Sequence, residues 1–331
     1  MQRCMEAGRR DDVAGYARAV LFVGALLLWI APSHAQAAAA GRSGRIVYLC
    51  RDGYDLCTIR SDGGDRSVVT RRTKILPGIA AWGPRARRIS FGCGSTTAWS
   101  QHLCVMSSEG RHLRKITSSG GGDWAPAWSP SGNKIVWGEA NGRGLRIIRA
   151  NGTRFRVLTH GHGGAEPSWS ARGGIVYSGS RGGILRIDPD GSPRRRLTNR
   201  WGHHFHTDSA PEWAPDARHI VFNRTLGIEH DCIFVMRADG THVRRLRTPS
   251  IPGDDVGPSW SPNGRRILFA GNGDLYSMRL DGSHVRRVTN GGSADGYPDW
   301  SDPPSRRRLI GRKSLHSDDK RPFGHGGSGS A

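Results

Sequence analysis

A tryptophan recurs six times along the chain, at Trp82, Trp128, Trp169, Trp213, Trp260 and Trp300, at intervals of about 40 to 47 residues. Each except the last is followed by a short apolar run: RRISF, NKIVW, GGIVY, RHIVF and RRILF. A glycine turn comes next, in SSEGR, RANGT, DPDGS, RADGT and RLDGS, and a segment near a threonine closes each unit (KIT, VLT, RLT, RLRT, RVT). This repeat constrains the fold more than length does. A chain of 331 residues would ordinarily divide into two domains. Units this short cannot bury their faces alone, so they must stack on one another.

Each unit reads as four short strands. In PSWSPNGRRILFAGNGDLYSMRLDGSHVRRVTNGG, from Pro258 to Gly292, Pro-x-Trp-Ser is expected to start the first strand. Ile267 and Phe269 alternate on a second, and Leu275, Ser277 and Arg279 lie on a third. Asp281-Gly282 marks a hairpin, because glycine takes a positive φ without a Cβ clash. Val285 to Thr289 make the fourth strand. Four-stranded units of about 40–45 residues have the period of a β-propeller blade. The first unit, beginning at Gly44 with RIVYLC, DLCTIR, SDGGD and RSVVT, lacks its tryptophan strand, and Trp300 lacks the three strands that should follow it. Together they complete one blade. The sequence therefore predicts an all-β, six-bladed propeller over residues 44–303, closed by pairing the two chain ends. Closure removes a free blade interface.

PSWSPNGRRILF followed by DLYSMRLDG resembles the TolB-type, WD40-like (PD40) repeat with its Pro-x-Trp-Ser-Pro-Asp-Gly signature. The resemblance runs from Gly44 to about Pro303. It departs mildly where Gly83-Pro84-Arg85 and Ala171-Arg172-Gly173 replace the turn. The motif is specific for fold and weak for function, since such propellers serve as periplasmic binding proteins, as lids on serine peptidases and in secreted proteins of other kinds.

Residues 1–18 are polar and carry Arg3, Arg9, Arg10 and Arg18; Ala19 to Ile30 is an apolar run, and APSHAQAAAA follows. This is the layout of a secretory signal peptide, and the run is shorter than the roughly 20 residues a spanning helix needs. The expected division is a signal over 1–35, with cleavage as late as 37, a linker over 36–43, the propeller, and a tail over 304–331 that is basic and then Gly/Ser-rich. That layout predicts export to the periplasm or the extracellular space, with no transmembrane span in the mature chain. The cysteines agree with an oxidising compartment. Cys50 ends a second strand and Cys57 begins the third; Cys93 and Cys104 hold the same places in the next blade. Facing positions on antiparallel strands lie within disulfide reach, which predicts Cys50–Cys57 and Cys93–Cys104. Cys232 should be a free buried thiol, with Asn223 at its partner position.

The formal net charge is +21. Such a balance favours polyanions, an anionic envelope polymer among them. No nucleic-acid module is recognisable, and export argues against nucleic acid. The plainer alternative is solvated arginine on outer strands. Arginines gather on the face of the post-tryptophan and glycine turns and on the outer strands: Arg85, Arg87, Arg88, Arg194, Arg195, Arg196, Arg244, Arg245, Arg265, Arg266, Arg286 and Arg287.

The other face carries the inter-blade loops and the candidate site. Asp123, Asp208, Asp255 and Asp295 each stand five residues before an anchor tryptophan, so four carboxylates are expected around the channel mouth. They could hold a cation, receive a basic peptide, or cap turns locally. The loop NRWGHHFHTD places Trp201, His203, His204, His206 and Asp208 together, a set that could ligate a transition metal or be merely polar. Trp99, Trp124 and Trp201 fall in loops of this face and suit a ligand or protein contact, or simply cover blade ends. No cofactor is called for. There is no G-x-S-x-G elbow or H-E-x-x-H motif. The expectation is a non-enzymatic protein- or peptide-binding scaffold. The alternatives are a glycan- or polyanion-binding propeller, able in one form to cleave glycan, and a metal-dependent enzyme at the histidine loop.

Overall fold

The computed structural model describes residues 44–71, 75–94, 101–118, 121–139, 144–160, 163–198, 207–226, 230–246, 256–291 and 294–301. They form six sheets of four strands, a six-bladed β-propeller. In the sixth blade Val256–Trp260 is innermost, followed outward by Arg266–Gly271, Asp274–Arg279 and the two-residue Arg286–Arg287. The first blade closes the ring. Its innermost strand is the C-terminal Gly296–Ser301, laid beside Arg45–Cys50, Asp55–Arg60 and Ser67–Val68. Ile46 pairs with Trp300 and Arg45 with Ser301, so the two ends meet in one sheet as the repeat count requires.

The strand bounds differ from the sequence reading in two respects. The fourth strand, expected over Val285 to Thr289, is only Arg286–Arg287. The anchor tryptophan does not start the innermost strand. It ends it, in Leu76–Trp82, Asp123–Trp128, Ala165–Trp169, Asp208–Trp213 and Val256–Trp260. The proline two residues earlier therefore lies within the strand, at Pro126, Pro167, Pro211, Pro258 and Pro298. It is tolerated there because the innermost strand is a sheet edge and needs no second ladder. The pairing register slips beside each of these prolines. The residue before the proline takes a left-handed conformation: Ala125 (φ 46°), Glu166 (φ 50°), Ala210 (φ 47°), Gly257 (φ 61°) and Tyr297 (φ 49°). Four of these are not glycine, so each bulge holds backbone strain that the surrounding sheet must offset.

The hydrophobic core is divided into six clusters, and each straddles one seam between neighbouring blades. Val47 and Leu56 of the first blade pack with Trp82, Ile89 and Phe91 of the second. Val221, Ile233 and Val235 of the fifth pack with Trp260, Ile267 and Phe269 of the sixth. Every anchor tryptophan sits in the seam with the preceding blade. This explains the recurrence of a large indole: one bulky apolar group per blade fills the wedge between two twisted sheets.

The closing threonine has an equally repetitive task. Thr70, Thr117, Thr159, Thr198 and Thr289 each accept a hydrogen bond from the third-strand N–H of Leu56, Leu103, Leu145, Ile184 and Leu275, at 2.7–2.9 Å. A buried amide is thereby satisfied where the two-residue outer strand has run out. Arginines add an outer latch. Arg156 donates to the Asp190 carbonyl at 3.1 Å, Arg195 to that of Asp239 at 3.3 Å, Arg244 to that of Leu280 at 3.2 Å, and Arg286 to that of Asp62 at 2.6 Å. Each runs from an outermost strand to the glycine hairpin of the next blade. Part of the basic rim is thus structural, a role the sequence reading did not assign to it.

Both expected disulfides form. Their Cα–Cα distances are 5.9 Å for Cys50–Cys57 and 5.8 Å for Cys93–Cys104. They join diagonal rather than facing positions, since Cys50 faces Asp55 and Cys57 faces Tyr48, while Cys93 faces His102 and Cys104 faces Phe91. The sheet's twist brings one diagonal pair close. Cys232 is buried and forms no disulfide among the described residues. It faces Arg224 and not Asn223, one position from the expected register.

Candidate partner-binding face

The innermost strands enclose a channel with a cavity of about 260 Å³. They run from the inter-blade-loop face toward the turn face, so residues early in each strand ring the first opening. Ala125, Glu166, Ala210, Gly257 and Tyr297, the left-handed bulge residues, line it. Further along the channel wall come residues just before the tryptophans, among them Ser168, Glu212 and Asp299.

These side chains brace the ring. The Ser168 hydroxyl accepts from the Trp213 N–H at 3.0 Å, the Glu212 carboxylate from the Trp260 N–H at 2.9 Å, the Ser259 hydroxyl from the Trp300 N–H at 3.1 Å, and the Asp299 carboxylate from the Trp82 N–H at 2.5 Å. Each bond reaches from one innermost strand to the next. The last crosses from the C-terminal strand of the closing blade into the second blade. Glu166 does likewise one turn earlier, accepting from the Ala210 N–H at 2.7 Å and the Ser178 hydroxyl at 2.8 Å.

Glu212 and Asp299 keep some exposure along the channel, but protein surrounds them and strips most of their hydration. Burial pushes the Asp299 carboxyl up to about 6, against the pull of the Trp82 and Trp300 amides. Burial, reinforced by the negative charge of Asp299, raises Glu212 well above the usual carboxylate range. Sequence reasoning missed both. The signal was present in PEW and PDW, where four other blades carry Ser or Ala before the tryptophan.

The predicted aspartates occupy a different environment from the one expected. Asp123, 3% exposed, accepts from the Thr117 hydroxyl at 2.6 Å and from the Trp137 indole at 2.6 Å. Asp208 is held by Arg224 at 2.6 and 3.0 Å. Asp295 is buried and lies 3.7 Å from Arg66. These three aspartates are buried and are not among the residues that line the channel. Asp255, Trp99, Trp201, His203, His204 and His206 lie outside the described residues. Among the described residues, no group of three or more His, Cys, Asp or Glu side chains could hold a metal, and no helix is long and apolar enough to cross a membrane.

Three aromatic side chains of this face stand out among the described residues, and Tyr54, in the hairpin between Arg45–Cys50 and Asp55–Arg60, is 64% exposed. Trp124 is half-buried at the start of its strand. Tyr297 is 39% exposed in the channel opening. Partial burial, with the charges of Glu166 and Asp231 nearby, raises its phenol above the ordinary range. Tyr297 was not singled out from the sequence, since nothing in GYPDW announces that the bulge turns its side chain outward.

Blade count, closure and channel define a six-bladed β-propeller. Within it, residues 194–313 match the family model described as TolB beta propeller domain. Among curated proteins it is 36% identical over 80 residues to Tol-Pal system protein TolB 1 of Novosphingobium aromaticivorans, covering 24% of this chain and 16% of that one. It is 27% identical over 145 residues to the Protein TolB homolog of Chlorobium luteolum, covering 41% and 32%. The chain thus spans less than a third of the length of the curated relatives it matches. Among solved structures, TolB from Acinetobacter baumannii superposes with a TM-score of 0.65 at 21% identity, over 78% of this chain and 66% of that one.

Proposed function

We propose that the chain is an exported, non-enzymatic scaffold that binds a protein or peptide partner across the inter-blade-loop end of its channel. The observation that carries this reading is the opening itself. A ring of strained bulges, braced by side chains across four of its seams, holds an exposed tyrosine at the mouth of a rigid concavity. Aromatic anchors on a pre-ordered frame lose little conformational entropy on binding. Glu166 places an acidic group toward that opening, with Glu212 and Asp299 further along the channel wall, in a chain of strongly positive net charge, which suits a basic or amide-rich partner segment. Resemblance to TolB supports the same mode, though fold alone does not fix function. Two disulfides support an oxidising compartment.

The test is a cross-linking pull-down from native envelope and medium, using the mature protein beside Tyr297→Ser and Trp124→Ser. A partner retained by the parent and lost from the variants is the expected result. Equal retention by all three would remove the channel mouth from the account.

A further inference from the structure

Between the first and second blades the repeat breaks its own rule. The outermost-strand position that carries Arg156, Arg195, Arg244 and Arg286 elsewhere is Ser67 here, as the strand register shows: Ser67 faces Thr58 just as Arg156 faces Ile147 and Arg286 faces Ser277. Serine cannot reach the next hairpin. The hairpin still docks, since a Cβ on Gly110 would lie 2.2 Å from the Val69 carbonyl oxygen. Beside it, however, the seam stays open as a groove of about 890 Å³.

Four arginines line this groove: Arg51, Arg66, Arg71 and Arg111. Arg51 is paired with Asp55 at 3.2 Å and Arg66 with Asp295 at 3.7 Å. Among the described residues the only acid on the wall is Glu109, whose carboxylate accepts from the Ser108 hydroxyl at 2.5 Å. Arg71 and Arg111 are exposed and have no acidic partner among the described residues. The floor follows Ser67–Val68, the last strand of its sheet, whose outer edge has no ladder partner among the described residues. An edge strand offers backbone hydrogen bonds to an extended chain, and guanidinium groups prefer carboxylates.

We infer that this groove is a second docking surface, for an extended acidic peptide segment. It is independent of the channel-mouth reading. The backbone edge favours a peptide over other anions, and the absent arginine latch leaves room for it.

The experiment is fluorescence anisotropy with a labelled oligoglutamate peptide at about 0.15 M salt, where long-range attraction is screened. Arg71→Gln/Arg111→Gln is expected to weaken binding about tenfold or more. Arg172→Gln/Arg181→Gln, exposed on the fourth blade and equal in charge removed, is expected to leave it within about twofold. Ser67→Arg should restore the latch, fill the groove and weaken binding despite adding a positive charge. Equal weakening by both double variants would mean bulk charge attraction and overturn the site. Tighter binding by Ser67→Arg would also overturn it. Polyphosphate or a polyuronate displacing the peptide from the groove at far lower concentration would overturn the assignment of a peptide.

Discussion

At the residue scale the fold rests on small groups copied from blade to blade. The threonine that ends each unit was visible in the sequence, but its task was not, because a hydroxyl accepting a third-strand N–H leaves no periodic trace. Thr117→Val keeps the shape and removes both the acceptor for Leu103 and the donor to Asp123. It should cost about 1–3 kcal/mol, read as a lower midpoint in denaturant, while Thr117→Ser should recover most of the loss. The buried carboxylates give a pH dependence of definite sign. Asp299 titrates at about 6 when folded, above its usual unfolded range, and Glu212 is raised too. A raised carboxyl favours the folded state only while it is protonated, so the stabilisation is present below the unfolded range and is lost as pH rises through 6 and beyond. Glu212→Gln keeps an acceptor for the Trp260 amide and removes the repulsion. Its thermal midpoint should therefore exceed that of the parent at pH 8 and converge with it near pH 4. A constant offset at all pH values would show that the two carboxyls do not interact.

At the element scale, hydrophobic alternation and turn chemistry made the second and third strands plain. The innermost strand was misplaced relative to its tryptophan, because a proline inside a strand reads as a break. Only the edge position and the bulge allow Pro126 or Pro258 to lie within one. The same bulge accounts for why Tyr297 and Glu166 could not be placed on the channel from an alternating pattern: one extra residue reverses the side-chain faces. The disulfides followed from strand order, although twist set the diagonal geometry. Cys93→Ser/Cys104→Ser opens a short loop and should cost about 2–3 kcal/mol by the chain-entropy estimate. A loss below about 0.5 kcal/mol would instead point to a constraint already supplied by the blade. The outer latches are individually weaker. Arg195→Ala, an exposed pair, is expected to cost under about 1 kcal/mol, measured by denaturant midpoint.

At the scale of the whole molecule, the ring was legible because a repeat states both its unit and its count. The brace around the channel was not, since it depends on which side chain of one blade meets which backbone amide of the next. The predicted aspartates show the same limit: spacing placed Asp123 and Asp208 beside the anchor strand, but only the neighbouring Thr117, Trp137 and Arg224 turn them inward. Changing all of them to asparagine would damage the seams before it tested a surface. The central claim is that partners are met at the inter-blade-loop mouth of a rigid, closed ring. It is tested most directly by placing a photo-activated cross-linking amino acid at position 297, at 124, and at 85 on the opposite face, then irradiating in the native envelope. The account predicts one shared adduct from positions 297 and 124 and none from 85. An adduct from 85 alone, with the other two silent, would contradict it.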